Sequence, residues 1–254
     1  MQLSDNTIFI TGGTSGIGRG LAEALHKLGN QVIIGGRRKT LLDEITRANP
    51  GMRSIELDIA DAASIDRAAA TLVADYPALN VLINNAGIMP FDDVSTAIDE
   101  ATALSTIDTN LIGPIRMTSA LVGHLKRQPR AAIVNNTSVV AYVPLATTAV
   151  YSATKAALHS YTMSLRFMLR NTNVEVREIA PPWVNTDLIY KSGDPRAMAL
   201  EPFVAETLQG LAGEREEVLV EMAQAARNNP GPGEHKMINE LNLYFVDNPI
   251  PVGA

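Results

Sequence analysis

The chain has 254 residues and contains no cysteine. This absence excludes disulfide bonds, thiolate metal ligands and a cysteine nucleophile, so any chemistry must rest on hydroxyl, carboxylate, amine or imidazole groups. The histidines are scattered, and none has a second candidate ligand at the spacing of a metal site within one helix or loop. The sequence therefore predicts no bound metal. The histidines are His26, His124, His159 and His235.

Long apolar runs are also missing. No stretch reaches the roughly 18 consecutive apolar residues that indicate a membrane-spanning helix, and Met1–Asp5 lacks the positive charge that begins a signal peptide. Acidic residues outnumber basic ones by 27 to 21, which leaves a net charge of −6, whereas nonspecific nucleic-acid binding needs clustered Lys and Arg. We therefore expect a cytoplasmic protein whose partners include neither a membrane nor a nucleic acid.

Short runs rich in Ile and Val alternate with longer helix-like stretches, which is the pattern of βαβ units in a parallel sheet. The runs are nearly continuous in apolar residues, as expected when helices cover both faces of the sheet. Strands are predicted at Thr7–Thr11, Gln31–Gly35, Arg53–Leu57, Val81–Asn84, Ala131–Thr137 and Glu175–Ile179. Helices are predicted at about Ile17–Leu28, Thr40–Ala48, Ala62–Tyr76, Ile98–Lys126 and Tyr151–Arg170.

The predicted fold class is α/β, with a doubly wound, Rossmann-like parallel sheet in a single domain over residues 1–254. The regular alternation ends after the sixth strand, and residues at about 182–213 form an excursion over the sheet edge with a short helix at Pro202–Leu211. A last strand is predicted at Glu217–Val220. Asn228–Gly233 is a loop, and the C-terminal residues beyond it receive no assignment. Asp61 is predicted to cap the third helix.

A glycine-rich segment, Thr11–Gly18, joins the first strand to the first helix. A helix N-terminus presents unpaired N–H groups and a partial positive charge, so this arrangement suits a pyrophosphate. Gly12 permits a tight turn, Gly16 lacks a Cβ that would block close approach, and Gly18 lets the helix pack against the strand. The alternative is an ordinary strand-to-helix turn. The predicted cofactor-binding residues of this loop are Gly12, Thr14, Ser15, Gly16, Ile17 and Gly18.

Three motifs occur together in a defined order. They are Gly-x-x-x-Gly-x-Gly, Asn84-Asn85-Ala86-Gly87 after the fourth strand, and Tyr151-Ser152-Ala153-Thr154-Lys155. This combination resembles the short-chain dehydrogenase/reductase family over the chain to about residue 186. Ala180-Pro181-Pro182 with Asn185-Thr186-Asp187 is most similar to the DltE-like subgroup of bacterial oxidoreductases. The resemblance implies reversible hydride transfer between a nicotinamide and a carbonyl or secondary alcohol.

The end of the second strand should select the nicotinamide cofactor, because NADP carries a 2′-phosphate that NAD lacks. No acid stands at Gly36, and Arg37 offers a planar fork of donors to a phosphate. We therefore expect NADP in preference to NAD. Arg38 is interpreted as the start of a solvated helix end.

The resemblance implies further cofactor contacts. Asp58 matches the family residue that meets the adenine, although a helix-capping Asp is the alternative. Residues 85–87 match a loop under the adenine ribose, with a simple turn as the alternative. Val184 and Thr186 resemble the residues that hold the nicotinamide carboxamide, but this chain has Pro-Pro where the family more often has Pro-Gly. The implied loop residues are Asn85, Ala86 and Gly87.

Tyr151 and Lys155 stand four residues apart at the start of a helix and share one face. A free tyrosine has a pKa of about 10, and a nearby cation favours the phenolate, so the pair predicts an acid–base catalyst tuned toward neutral pH. A solvated helical pair is the alternative. The resemblance assigns Tyr151 as acid–base, Lys155 also to the nicotinamide ribose, Ser138 to the substrate oxygen and Asn110 to a water beside the lysine. Thr137 is the nearest rival of Ser138.

The candidate substrate walls are apolar: Ile88–Phe91, Val139–Tyr142 and the Trp183–Phe203 excursion. They favour an uncharged, partly apolar ketone or secondary alcohol. The predicted helix Tyr151–Arg170 is apolar on more than one side, and together with the resemblance this predicts a homodimer or homotetramer. A catalytically idle dinucleotide-binding sensor or assembly partner is the alternative function.

Overall fold

The computed structural model describes residues 1–190, 193–229 and 231–250. Residues 191, 192 and 230 and the last four positions, which belong to the predicted excursion, loop and C-terminal stretch, lie outside the described residues. The strands are β1 Thr7–Thr11, β2 Gln31–Gly36, β3 Arg53–Glu56, β4 Leu79–Asn84, β5 Ala131–Asn136, β6 Val174–Ile179 and β7 Glu217–Val218. The α-helices are α1 Gly16–Lys27, α2 Lys39–Ala48, α3 Ala62–Asp75, α4 Glu100–Ile107, α5 Gly113–Leu125, α6 Ala149–Leu169, α7 Leu200–Ala212, α8 Gln224–Arg227 and α9 Glu234–Asp247.

The strands form one seven-stranded sheet in the order β3-β2-β1-β4-β5-β6-β7. Every neighbouring pair is parallel. The chain leaves β1 toward one edge and returns at β4 toward the other, so the strand order reverses between β1 and β4. In sheets of this kind the reversal opens a crevice at the carboxyl ends of the strands. The predicted α/β, doubly wound, Rossmann-like architecture is confirmed.

Apolar side chains on both faces of the sheet build two core clusters. Ile8 and Ile10 of β1 point into one cluster with residues of α1, α2 and α7. Phe9, between them, points into the other cluster with residues of α3, α5 and α6. Adjacent residues of a strand point to opposite faces, so a continuous apolar run is what a strand buried on both faces requires.

The structure corrects some boundaries. The long helix predicted at Ile98–Lys126 is three pieces, α4, a π-helical turn at Asp108–Ile112, and α5. Pro114 lies in the first turn of α5, where its missing N–H and its ring disfavour a regular helix through this point. The C-terminal stretch that received no assignment contains α8 and α9. The predicted cap at Asp61 is confirmed, since its carboxylate accepts from the Ala63 N–H at 3.0 Å.

Within the described part of the chain, no helix has the length and apolar character needed to cross a bilayer.

Two buried asparagines tie the sheet to the helices that cover it. Asn84 Nδ2 of β4 donates to Asn135 Oδ1 of β5 at 2.9 Å and to Thr118 Oγ1 of α5 at 3.0 Å. Asn135 Nδ2 donates to Thr162 Oγ1 of α6 at 2.9 Å. All four side chains are buried, so these bonds fix α5 and α6 on the sheet without competition from water.

We predict that Asn135→Ala lowers the free energy of unfolding by about 2 kcal/mol, because it leaves buried polar partners unsatisfied. Asn171→Ala, at an exposed position, should change it by less than about 0.5 kcal/mol. Urea denaturation of both variants measures the difference. Equal losses would show that the buried network does not hold α5 and α6 to the sheet.

Candidate active site

A cavity of about 1100 Å³ opens at the carboxyl ends of the strands, where the strand order reverses between β1 and β4. It is large enough for a dinucleotide together with a small substrate. With the exception of Asn110, every site residue predicted from the sequence lines it. These residues are Gly12, Thr14, Ser15, Gly16, Ile17, Gly18, Arg37, Asp58, Asn85, Ala86, Gly87, Ser138, Tyr151, Lys155, Val184 and Thr186.

The backbone of the glycine loop requires glycine at three positions. Gly12 has a φ of +69° and Gly16 a φ of +52°, in the left-handed region that favours glycine. A Cβ on Gly12 would lie 2.7 Å from the Cα of Ala86, and one on Gly16 would lie 3.2 Å from Thr186 Cβ. A Cβ on Gly18 would lie 2.4 Å from the carbonyl oxygen of Gly12. Side chains at these positions would fill the space between loop, helix and neighbouring strands.

The loop after β4 is tied to the glycine loop by its own polar groups. The backbone N–H groups of Asn85 and Ala86 donate to Thr11 Oγ1 at 3.0 and 3.1 Å. Asn85 Nδ2 donates to the Thr11 carbonyl at 3.0 Å, and Asn136 Nδ2 donates to Asn85 Oδ1 at 2.9 Å. The Asn85 side chain is therefore engaged within the protein, and the loop presents small residues and backbone to the cavity.

Two arginines border the cavity at the end of β2. Arg37 is exposed there. Arg38 is the exposed N-cap residue of α2, which confirms its interpretation as the start of a solvated helix end. Its Nη2 also donates to Thr14 Oγ1 at 2.9 Å and to Ser15 Oγ at 3.0 Å, contacts that the sequence does not predict. Its guanidinium folds back over the glycine loop, where two hydroxyl oxygens offer acceptors. Both arginines thus add positive charge on this side of the cavity.

Asp58 lies just after β3 and accepts from the Ala60 N–H at 3.0 Å. The alternative of a helix-capping role for Asp58 is not met, because the N-cap of α3 is Asp61. One wall of the cavity therefore carries a carboxylate at the end of β3 next to the arginines at the end of β2.

Ser138, Tyr151 and Lys155 come together on the cavity wall. Their residues are 8%, 6% and 4% exposed. Lys155 Nζ donates to the Asn136 carbonyl at 2.7 Å and lies 5.5 Å from the centroid of the Tyr151 ring. Ser138 Oγ donates to the Pro181 carbonyl at 3.4 Å. The carboxyl end of β5 and the first turns of α6 thus place a hydroxyl, a phenol and an amine together at one buried part of the cavity wall.

Burial dominates the electrostatics of these groups. It raises the pKa of Tyr151 to about 12, and the hydrogen bond with Ser138 offsets part of that rise. It lowers the pKa of Lys155 to about 8, against the opposing charge of Glu178. The pKa of Tyr151 is thus shifted upward, opposite to the expected direction, because desolvation of the buried phenol outweighs its hydrogen bond with Ser138. The phenol holds its proton.

Asn110 lies in the π-helical turn between α4 and α5 and is fully buried. Its Oδ1 accepts from the Ile88 N–H at 2.9 Å, and its Nδ2 donates to the Ile88 carbonyl at 2.8 Å. A Cβ on Gly87 would lie 3.2 Å from Asn110 Oδ1 and 3.9 Å from Lys155 Nζ. Asn110 therefore holds the loop after β4 close to the lysine, although it does not line the cavity itself.

The segment after Pro181 and Pro182 crosses back toward the glycine loop. Thr186 is buried against Gly16. Val184 forms a bridge with Met198, and the Asn185 N–H donates to the Met198 carbonyl at 2.9 Å. These backbone contacts place both predicted carboxamide-binding residues at the cavity.

The C-terminal helix α9 also contributes to the cavity, which the sequence reasoning missed. Met237, Leu241 and Phe245 line it, and they recur every four residues, a helical spacing that the sequence displays. Phe245 packs on Trp183 with ring centroids 6.3 Å apart. The substrate end of the cavity is therefore more apolar than the predicted walls alone indicate.

A second group of polar residues lies next to Thr137, just after the end of β5. His159 Nδ1 is 2.9 Å from both carboxylate oxygens of Glu178, and Glu217 is close enough that the potential ligand atoms lie within 4.8 Å of one another. The spacing of the histidines along the chain did not reveal these neighbours, because they come from β6 and β7. Arg227 pairs with Glu217, and Thr137 donates to Glu178.

The model of the family described as short chain dehydrogenase matches residues 6–196. The chain belongs to the short-chain dehydrogenase/reductase family. It is 38% identical to the uncharacterized oxidoreductase DltE of Bacillus subtilis strain 168, over 95% of this chain and 98% of that protein. The predicted similarity to the DltE-like subgroup is thus confirmed, and the chain is an oxidoreductase of the short-chain type.

Solved structures agree with this assignment. A short chain dehydrogenase from Burkholderia cenocepacia J2315 in complex with NADP superposes with a TM-score of 0.84 at 30% identity, covering 95% of this chain and 99% of that one. A short-chain dehydrogenase/reductase from Burkholderia phymatum in complex with NAD superposes with a TM-score of 0.81 at 19% identity, covering 95% and 96%. The first of these structures contains NADP and the second contains NAD.

Two helical glycines give a matched test of the glycine loop. We predict that Gly18→Ala weakens NADPH binding more than tenfold and lowers thermal stability, because its Cβ would collide with the Gly12 carbonyl. Gly123→Ala in α5, with nothing closer than 3.9 Å, should leave binding unchanged and stabilise the protein by about 0.5–1 kcal/mol through helix propensity. Fluorescence titration and thermal unfolding measure both. Unchanged NADPH binding in Gly18→Ala would contradict the assignment of the loop.

Proposed function

We propose that this protein is an NADP-dependent oxidoreductase that transfers a hydride between the nicotinamide and a carbonyl or secondary alcohol, with Tyr151 as general acid/base. The observation that carries the proposal is the burial of Ser138, Tyr151 and Lys155 on the wall of the cavity that also holds the glycine loop. The proposal treats residues 1–254 as one dinucleotide-binding and catalytic domain. An idle sensor is not favoured, because binding a dinucleotide needs no buried phenol–amine pair.

The residues around the cavity fit a dinucleotide. Side chains at Gly12, Gly16 and Gly18 would occupy the space that a pyrophosphate needs, and the N-terminus of α1 faces it. Thr14, Ser15 and Ile17 complete this loop. In the proposal these groups hold the pyrophosphate, as expected for the switch point of a doubly wound sheet.

The adenosine end favours NADP over NAD. Gly36 has no carboxylate to repel a 2′-phosphate, and Arg37 and Arg38 both border the cavity at this point. Guanidinium groups bind phosphate through parallel hydrogen bonds. Asp58 and the loop 85–87 lie on the same wall, where we assign them to the adenine and its ribose. The NADP complex of the Burkholderia cenocepacia relative supports this choice.

The proposed mechanism uses three side chains. When bound, the cofactor supplies or accepts a hydride at its nicotinamide C4. Ser138 hydrogen-bonds the substrate oxygen, and Tyr151 gives that oxygen a proton in reduction. In the reverse direction the phenolate form of Tyr151 takes the proton back. Burial keeps the phenol protonated, which is the form that a proton donor requires. Lys155 holds the nicotinamide ribose, with Asn110 behind it, and Val184 and Thr186 hold the carboxamide.

We assign an uncharged, partly apolar substrate. The substrate end of the cavity is formed by apolar side chains from the loop after β4, the segments after β5 and β6, and helix α9. Charged groups on a substrate would lose hydration there without a partner. These walls include Ile88, Met89, Val140, Trp183, Met237, Leu241 and Phe245.

We also propose that the protein assembles as a homodimer or homotetramer through α6. Phe167 and Met168 on this helix are 62% and 72% exposed, and Met163 is 44% exposed. Large apolar side chains grouped on one helix indicate a protein contact when they remain open to water.

Removing the phenol hydroxyl tests the acid–base role. We predict that Tyr151→Phe lowers kcat for ketone reduction by at least about 100-fold, because general acid catalysis contributes roughly 10²–10⁴, while the Kd for NADPH stays close to that of the wild type. Tyr161→Phe, the same change two turns or more along α6, should retain turnover. NADPH absorbance over a panel of apolar ketones provides the assay. Full turnover in Tyr151→Phe would remove the assignment.

Reversing the charge at Arg37 tests the cofactor preference. We predict that Arg37→Asp weakens NADPH binding more than tenfold and NADH binding much less, because the new carboxylate repels only the 2′-phosphate. Arg47→Asp on the far end of α2 makes the same charge change away from the cavity and serves as the control. Calorimetric titration with both dinucleotides gives the two affinities. Equal losses for NADPH and NADH would show that Arg37 does not read the phosphate.

A further inference from the structure

A fully buried carboxylate lies directly behind the proposed catalytic wall. Glu178 of β6 is 0% exposed. Its Oε1 accepts from Thr137 Oγ1 at 2.6 Å, and both of its oxygens lie 2.9 Å from His159 Nδ1. Burying a carboxylate costs several kcal/mol unless partners replace water. An apolar side chain would fill this position in β6 without that cost, so the burial of a carboxylate here suggests a role other than packing.

The partners of Glu178 belong to the two elements that carry the proposed catalytic groups. Thr137 immediately precedes Ser138 at the end of β5. His159 follows Lys155 by four residues, as Lys155 follows Tyr151, so all three occupy one face of α6. Glu178 therefore hydrogen-bonds to the serine-bearing segment and to the tyrosine- and lysine-bearing helix at once.

Charged and titratable groups face Glu178 from each packed element. Arg227 of α8 forms two contacts with Glu217 of β7, at 2.5 and 3.1 Å, and so is largely neutralised by that carboxylate. Tyr142 has its hydroxyl 3.5 Å from Glu178, and burial raises its pKa, so it is uncharged. His159 and Lys155 face it from α6, and the charge of Glu178 favours the protonated amine of Lys155.

We propose that Glu178 is a positioning residue of the active site, which fixes the segment of Ser138 through Thr137, holds α6 through His159, and places a negative charge beside the turn of α6 that follows Lys155. The inference rests on the proposed function, since it assigns a role to Glu178 at the same site. Lys155 is the group that depends on it most, because burial alone disfavours its charge. Glu178 acts through these neighbours and does not line the cavity.

The proposal predicts how Lys155 titrates. An opposite charge favours the ammonium, so removing the charge of Glu178 lowers the pKa of Lys155 and makes the amine lose its proton at lower pH. We expect Glu178→Gln, which keeps the shape of the side chain, to lower the Lys155 pKa by about one pH unit. Glu175→Gln, on the same strand but with a half-exposed side chain, should leave it unchanged.

Carbon-13 NMR of the lysine ε-carbons in the full chain measures this titration without any substrate. The Lys155 resonance is identified by its loss in Lys155→Met. A Lys155 pKa that is the same in wild type, Glu178→Gln and Glu175→Gln overturns the proposal. If Glu178→Gln fails to fold, the double variant Glu178→Gln/His159→Gln replaces the carboxylate and the imidazole by two amides that can hydrogen-bond to each other. The same decrease in the pKa of Lys155 is expected in that variant.

Activity supplies the second readout. The alkaline limb of the pH profile of kcat/KM should move to lower pH in Glu178→Gln. Thr137→Val keeps the charge of Glu178 but loses the hydrogen bond to it, so this variant should lower kcat without moving the alkaline limb. An alkaline limb that stays in place in Glu178→Gln overturns the proposal. The two readouts can also disagree. If the Lys155 pKa shifts in Glu178→Gln but the wild type reduces no ketone, the proposed function is overturned, whereas the coupling of Glu178 to Lys155 is supported.

Discussion

The site depends on the removal of water from one phenol and one amine. Tyr151 and Lys155 are both buried, and burial moves each toward its neutral form, raising the pKa of Tyr151 to about 12 and lowering the pKa of Lys155 to about 8. Each structural feature around them opposes or exploits this effect. The Asn136 carbonyl accepts from Lys155, the hydroxyl of Ser138 hydrogen-bonds to the phenol, and Glu178 adds a negative charge. A dry environment also strengthens the hydrogen bonds and charge interactions that a developing oxyanion would feel.

The same constraint connects stability to function. The asparagine network of Asn84 and Asn135 positions α6, the helix that carries the pair. The glycine loop packs so closely on the loop after β4 and on Thr186 that a single methyl group would collide. Buried polar groups and left-handed glycines are costly on their own. Their concentration at the carboxyl ends of the strands is what a cavity for a charged dinucleotide next to a neutral proton donor requires.

The features that could be predicted from the sequence are those with a local signature. Apolar runs separated by helix-length stretches indicated the sheet, and the glycine spacing after β1 indicated the tight turn into α1. The missed features depend on contacts between distant parts of the chain. Arg38 finds its acceptors in Thr14 and Ser15, and Glu178 meets His159 and Thr137 only once β5, β6 and α6 have packed together. The pKa of Tyr151 was predicted in the wrong direction because spacing along a helix reveals a neighbouring cation but not the loss of water. Helix α9 does have a local signal in the sequence, the four-residue recurrence of the apolar residues Met237, Leu241 and Phe245.

Loss of water on burial sets the ionisation of Tyr151. Ultraviolet difference spectra of the wild type minus Tyr151→Phe, recorded from neutral to strongly alkaline pH, isolate the phenolate signal of this one residue. We predict that Tyr151 is still protonated at pH 10, where an unperturbed tyrosine is about half ionised. A Tyr151 phenolate that forms at or below the ordinary tyrosine pKa would contradict this prediction.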